Sequence, residues 1–203
     1  MDIGVDLIES YLRLTGYLTD SEFEVQRRGK DGTYLAITDV DVVGLRLPGD
    51  IFLGDAHGDD EGMLLIEDPI LALEDDLVDV IIGEVKQGEA EFNPGLKDHH
   101  VLHSVLRRLA WIYDEPLEHV VTGLQRKGVS YSPARGGGRV RTRLVAFGRS
   151  PTSGMNTISL SHVVETMLGF FERYEDAFRP IQFKDPAPAL LRLLQKAGFR
   201  VRR

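Results

Sequence analysis

Residues 80–88 read VIIGEVKQG. Five of the six residues from Val80 to Val85 are apolar or glycine, the composition of a strand buried at the middle of a domain. Yet this strand carries Glu84 and Lys86. Residues i and i+2 of a strand point to the same face, so the acid and the base leave it together. Burying an unpaired charge is costly. Either this strand end meets solvent or the protein uses a charged pair there.

A second charged strand lies upstream. The run TYLAITDVDVVGLRL (33–47) follows the strand-like FEVQRRG across the turn-prone KDG. Within it Asp39 and Asp41 fall on one face, with Val40 and Val42 on the other. If this strand neighbours 80–86, Asp41 and Glu84 come within a few ångströms. Two carboxylates that close repel unless a cation lies between them. Hard oxygen ligands suit Mg²⁺, which keeps waters for chemistry. Lys86 then stands beside the metal, where an ammonium stabilises charge developing on a phosphate. Asp39 is the alternative ligand, and Asp41 is preferred because more apolar strand follows it.

Asp41, then Glu84-Val85-Lys86, with Glu9 in a helix before the strands, resembles the PD-(D/E)XK superfamily of restriction-endonuclease-like nucleases. The style is closest to the archaeal Holliday-junction resolvases and Mrr-type domains, and the resemblance covers roughly residues 3–113. It implies an α/β fold: a mixed central sheet flanked by helices, forming a nuclease domain over 1–150. It implies a Mg²⁺-dependent DNA endonuclease, with Mn²⁺ able to substitute. By that resemblance Asp41, Glu84 and the backbone carbonyl of Val85 bind the metal, Lys86 positions the attacking water, and Glu9 supports a second metal or its water. The chain departs from the pattern in having Val40, not proline, before the aspartate. The 43 residues from Asp41 to Glu84 also require an insertion around 48–76. The alternatives are a non-catalytic nucleic-acid-binding module on the same fold, or an interaction protein whose charges are surface pairs.

The whole chain sets outer limits. Its 203 residues suit one domain with a C-terminal extension. It has no cysteine, which excludes disulfides and thiolate metal sites. No apolar run approaches the roughly 20 residues that span a bilayer, and no signal peptide is evident, so the expected location is cytoplasmic. The net charge of −8 hides an asymmetry. Residues 1–100 hold 24 acids against 7 Lys/Arg, and residues 101–203 hold 8 against 17. One half suits cations and the other phosphates, unless the two simply neutralise each other across the fold.

The basic half has a focus. From Arg126 to Arg149 there are seven Lys/Arg and no acid. Lys127, Arg135, Arg139, Arg141 and Arg143 are the expected DNA contacts, because arginine forks suit phosphate oxygens and glycine-loop amides can join them. The competing reading is a solubilising hairpin. HVVTGLQRKG and RTRLVAFG are both predicted strands, joined by SPARGGGR. His99 and His103, four apart on a predicted helix, share a face without a third metal ligand, and read as surface or DNA-rim residues. The loop DAHGDDEG is acidic without matching a calcium-loop register. Beyond 150, SHVVETMLGFFERYEDAF is a strongly amphipathic helix with Ser161 as its N-cap, and ALLRLLQKAG a last short helix ended by Gly198. Its stripe of Val163, Val164, Met167, Leu168, Phe170 and Phe171 reads as core or as a homodimer interface.

Overall fold

In the computed structural model, which describes residues 2–48, 65–151 and 156–199, the apolar run at 80–85 lies in the central strand. It is β3 (Leu77–Val85), buried along nearly its whole length. On one side it pairs antiparallel with β2 (Tyr34–Arg46), which pairs antiparallel with β1 (Leu18–Arg28). On the other it runs parallel to β5 (Arg139–Gly148), whose far side carries β4 (Val129–Pro133) antiparallel and the short β6 (Thr157–Ser159) parallel. A strand with neighbours on both sides and helices on both faces needs apolar side chains in every direction, hence the unbroken run.

Each face has its own core. Val78, Val80, Ile82, Val140 and Leu144 pack against α2 (His99–Arg108) and α3 (Leu117–Lys127). Ile81, Val145 and Phe147 pack against α1 (Ile3–Leu14) and α4 (Leu160–Arg173). α5 (Glu175–Phe178) and α6 (Pro186–Lys196) complete that layer through Phe178 and Leu191. The expected α/β fold with a mixed sheet flanked by helices and a helical C-terminal part is therefore present. The C-terminal part is more than an appendage: it supplies β6 and most of one layer. The apolar stripe of α4 is spent inside the chain, with Val163, Met167 and Phe171 fully buried.

Three local expectations are corrected. HVVTGLQRKG is helix α3, not a strand. Leu117, Val121 and Leu124 recur at helical spacing, and burying that stripe outweighs the strand preference of Val-Val-Thr. The N-cap of α4 is Ser159, whose Oγ accepts from the His162 amide at 3.1 Å, rather than Ser161. Val40 and Val42 do not share a face: Val40 enters the α2/α3 core and Val42 the α1/α4 core. The pleat changes hands at Asp41, opposite Glu22, a non-glycine residue at φ +55°. The expected loop at 48–62 lies, from residue 49 on, outside the described residues, and DAHGDDEG falls wholly there. Among the described residues no helix is long and apolar enough to cross a membrane.

Candidate active site

The β2–β3 ladder ends at the pair Val42–Gly83. The register carried one step further sets Asp41 opposite Glu84. The next rung is made by a side chain: Asp41 Oδ2 accepts the Val85 amide at 2.6 Å. Glu84 is 3% exposed although it sits at a strand end. Its Oε1 accepts from Lys86 Nζ, while its Oε2 is buried without a hydrogen-bond partner. A buried carboxylate oxygen left unpaired costs on the order of 1–3 kcal/mol or more. It needs a reason, and a cation is the partner that a bare carboxylate oxygen accepts best.

The electrostatics agree with that reading. Burial is the largest influence on Glu84 and pushes its carboxyl above its ordinary pKa, with repulsion from Asp41 and Asp39 adding to the shift and Lys86 opposing it. Asp41 is raised by the same leading cause, with Asp39 and Asp2 adding and the Val85 amide and Lys86 opposing. Lys86 is raised by its bond to Glu84, so it stays an ammonium at neutral pH. Its side chain is 39% exposed against 4% for Glu84, which puts the cation at the mouth and the carboxylate on the floor.

Asp41, Glu84 and Lys86 are thus brought together as the sequence suggested, with Asp39 close enough to act on all three. Glu9 is not with them. Its Oε1 accepts from Arg13 Nη2 at 2.6 Å and Thr19 Oγ1 at 2.8 Å, and its Oε2 from Ser21 Oγ at 3.1 Å. That carboxylate ties α1 to β1. The acid that α1 does bring near Asp41 is its N-cap, Asp2, which the sequence reading missed although an aspartate just before a helix is a standard start signal. Gln87 Nε2 reaches Asp2 Oδ2 at 3.4 Å. Gly4 permits this approach, since a Cβ there would stand 3.2 Å from Val85 Cγ1.

The basic segment requires the largest revision. Arg141 and Arg143 are fully buried and cannot meet a phosphate at the surface. Both bind Asp79, Arg141 Nε to Oδ1 at 2.5 Å and Arg143 Nη2 to Oδ2 at 2.9 Å. Arg139 is exposed but bridged to Glu74 at 2.6 Å and Asp76 at 3.3 Å. Arg135 is exposed in the turn before β5. Arg139 pairs in register with Leu77, the first residue of β3. The hairpin therefore sits at the opposite end of the sheet, roughly 23 Å from Glu84 at about 3.3 Å per residue. The member of the basic set at the carboxylate end is Arg149, an exposed residue whose amide donates to Gly88 O at 2.7 Å. Lys127 ends α3 just before β4, which β5 separates from β3.

Which residues fit a metal follows from the donors. Among the described residues no group of three or more His, Cys, Asp or Glu is arranged around one ion position. Mg²⁺ is commonly held by one or two carboxylates and several waters. Glu84 Oε2 and Asp41 Oδ1, with a strand-end carbonyl, are the donors that would have to supply such a set. His99 and His103 are engaged otherwise, both meeting Glu118. Protein-family models, curated proteins and solved structures offer no match to this chain, so its chemistry rests on its own geometry.

Proposed function

We propose that the protein is a Mg²⁺-dependent phosphodiesterase acting on DNA, a nuclease of the restriction-endonuclease-like type. The observation that carries the reading is Glu84 Oε2: a buried, unpartnered carboxylate oxygen beside a second raised carboxyl and a fixed ammonium. Asp41 and Glu84 would hold the cation, which when bound supplies Lewis-acid charge stabilisation and a more acidic water. Lys86, kept protonated by Glu84, is suited to donate to a non-bridging phosphate oxygen as negative charge builds there. It is not suited to take a proton. Water adds across one P–O bond, leaving a phosphate monoester and a free hydroxyl. A cytoplasmic setting accompanies this reading.

One observation favours a second reading, a non-catalytic nucleic-acid-binding module. The direct Lys86–Glu84 pair offsets one of the two carboxylates without any metal. The two readings part in one experiment. Supercoiled plasmid and a four-way junction are incubated with the protein and Mg²⁺, Mn²⁺ or EDTA, beside Glu84→Ala and Lys86→Ala. Metal-dependent cleavage that disappears in both variants supports the nuclease. Equal DNA binding by all three proteins without cleavage supports the module.

A further inference from the structure

The β1–β2 pair does not stop where the rest of the sheet stops. β3 pairs with β2 only over Val42–Arg46, whereas β1 accompanies β2 back to Tyr34. From Asp41 to Tyr34 the pair runs on past the Asp41–Glu84 end for about 23 Å, at about 3.3 Å per residue. Its base is braced on the α2 side: Arg27 bridges to Asp98 at 3.2 Å, and His100 Nε2 donates to the Gln26 carbonyl at 3.2 Å. From there outward, residues 26–28 and 30–36 are all exposed, so both faces of the ribbon meet solvent. A two-stranded hairpin is marginally stable by itself. Its turn is nevertheless firmly made: the Gly29 amide donates to Thr33 O at 2.7 Å, and the Thr33 hydroxyl donates to Asp31 Oδ1 at 2.7 Å.

The composition of this arm runs against its surroundings. Residues 1–100 hold seven Lys/Arg, and three of them, Arg27, Arg28 and Lys30, are here. Arg27 is taken by Asp98, and Arg28 and Lys30 form no ion pair with a described residue. Because Arg27 turns toward α2, Arg28 turns to the other face, which also carries Gln26, its partner Glu24 and the paired Asp39. Arg28 stands in register opposite Tyr34, and residues paired across an antiparallel ladder share a face. Tyr34 and its neighbour Leu35 are 66% and 62% exposed. A solubilising tip needs charge, not an exposed tyrosine and leucine. Two strands about 4.8 Å apart suit the major groove of B-DNA, about 12 Å wide, which admits a two-stranded ribbon. Arg28 and Lys30 fit the phosphates along its walls, and Tyr34 and Leu35 the apolar base edges on its floor, such as a thymine methyl.

We infer that the β1–β2 arm holds duplex DNA beside the Asp41–Glu84 site by lying in its major groove. This role rests on the reading of the protein as one that acts on DNA, but not on its being a nuclease. The test is fluorescence anisotropy of the full chain in EDTA with a duplex of about 20 base pairs, from about 50 to about 200 mM salt. Wild type is compared with Arg28→Ala/Lys30→Ala, Tyr34→Ala and Arg135→Ala, the last an exposed cation at the opposite end of the sheet. All four side chains are exposed, so none of these variants disturbs the core. The double variant is expected to lose about tenfold in affinity and to reduce the salt slope by about 1.8, the value of two phosphate contacts. Tyr34→Ala should lose several-fold with the slope unchanged, and Arg135→Ala nothing. Duplex RNA of the same sequence, whose major groove is too deep and narrow for side chains, should bind at least about tenfold more weakly. The inference falls if the wild type does not bind, if the double variant keeps wild-type affinity, if Arg135→Ala weakens binding as much, or if duplex RNA binds equally. Plasmid cleavage by the same proteins with Mg²⁺ decides the nuclease separately. Weakened binding by the arm variants without any cleavage by the wild type keeps the arm and removes the nuclease; cleavage with unchanged binding does the reverse.

Discussion

Asp79 and Glu84 stand five residues apart on β3, both almost fully buried, and they are treated in opposite ways. Around Asp79 every oxygen is claimed. Oδ1 accepts from Arg141, and Oδ2 accepts from Tyr17 at 2.5 Å and from Arg143. The surplus guanidinium charge is spread over the Leu71 and Ala72 carbonyls, although Nε and Nη1 of Arg143 stay unpaired. Around Glu84 one oxygen is matched by a half-exposed lysine and the other by nothing. The Asp79 cluster closes one end of the sheet as structure. The Glu84 cluster leaves an opening at the other. Burial alone does not distinguish the two carboxylates; the partners of their oxygens do.

Asp79→Ala should break the comparison most forcefully. Two buried guanidiniums would lose their carboxylate, at about 3–5 kcal/mol, a large part of a total stability near 5–15 kcal/mol. The urea midpoint should fall steeply or folding should fail. An equally large loss in Glu84→Gln would erase the distinction. The expected result there is unchanged or higher stability, since the substitution removes a desolvated charge.

Mg²⁺ sharpens the contrast. At about ten times its dissociation constant it should raise the wild type's stability by about 1.4 kcal/mol, read as a higher melting temperature. Glu84→Gln and Asp41→Asn should abolish that shift while Glu9→Gln keeps it. A shift retained in Glu84→Gln would remove the ion from this site.

pH gives a smaller, signed effect. Asp41 and Glu84 have folded pKa values above their unfolded ones, so the native state binds more protons. Stability should therefore fall as pH rises from their ordinary carboxylate values through the raised ones, then level off. Lys86 gives the same sign in another window: its raised pKa adds stability that is fully present below its unfolded value and is lost only as alkaline pH passes the folded one. In Asp41→Asn/Glu84→Gln the acid-side slope should flatten. Mg²⁺ affinity should weaken on acidification at a pH higher than an ordinary carboxylate would give. Denaturant titrations from pH 4 to 8, with and without Mg²⁺, test both statements.

The smallest expected effect separates the two ends of the sheet as DNA surfaces. Arg149→Ala should lower DNA affinity a few-fold and reduce the salt slope by about 0.9, the value of one phosphate contact. Arg135→Ala should change neither. The reverse order would return the hairpin to the DNA-binding role that its position argues against.

Much of this could be read from residues alone, for identifiable reasons. β3 was legible because a central strand needs apolar residues on both faces, and its two charges stood out against that run. The approach of Asp41 to Glu84 followed from strand adjacency, a local inference. Arg141 and Arg143 were misread because RVRTR looks the same whether its arginines meet water or a buried aspartate 62 and 64 residues earlier. Only the parallel β3–β5 register decides between them. α3 was misread because Val120 and Val121 favour strands, while the deciding stripe lies against a layer that the sequence does not display. Glu9 and Asp2 exchanged places because they differ along the helix axis rather than in phase: seven residues are nearly two turns, about 10 Å of rise, and only the N-cap end of α1 reaches the strand end.

The manner in which the last fifty residues are woven in has a consequence for modularity. β6 is hydrogen-bonded beside β5, and α4 roofs Ile81, Val145 and Phe147. A protein cut after residue 150 would present those side chains to water along the face where α1 is anchored. The Asp41–Glu84 end would then lose the platform on which it stands. This unit should be inherited, swapped between proteins or fused as a whole, and any partner it acquires is best joined at its ends rather than spliced in place of its C-terminal helices.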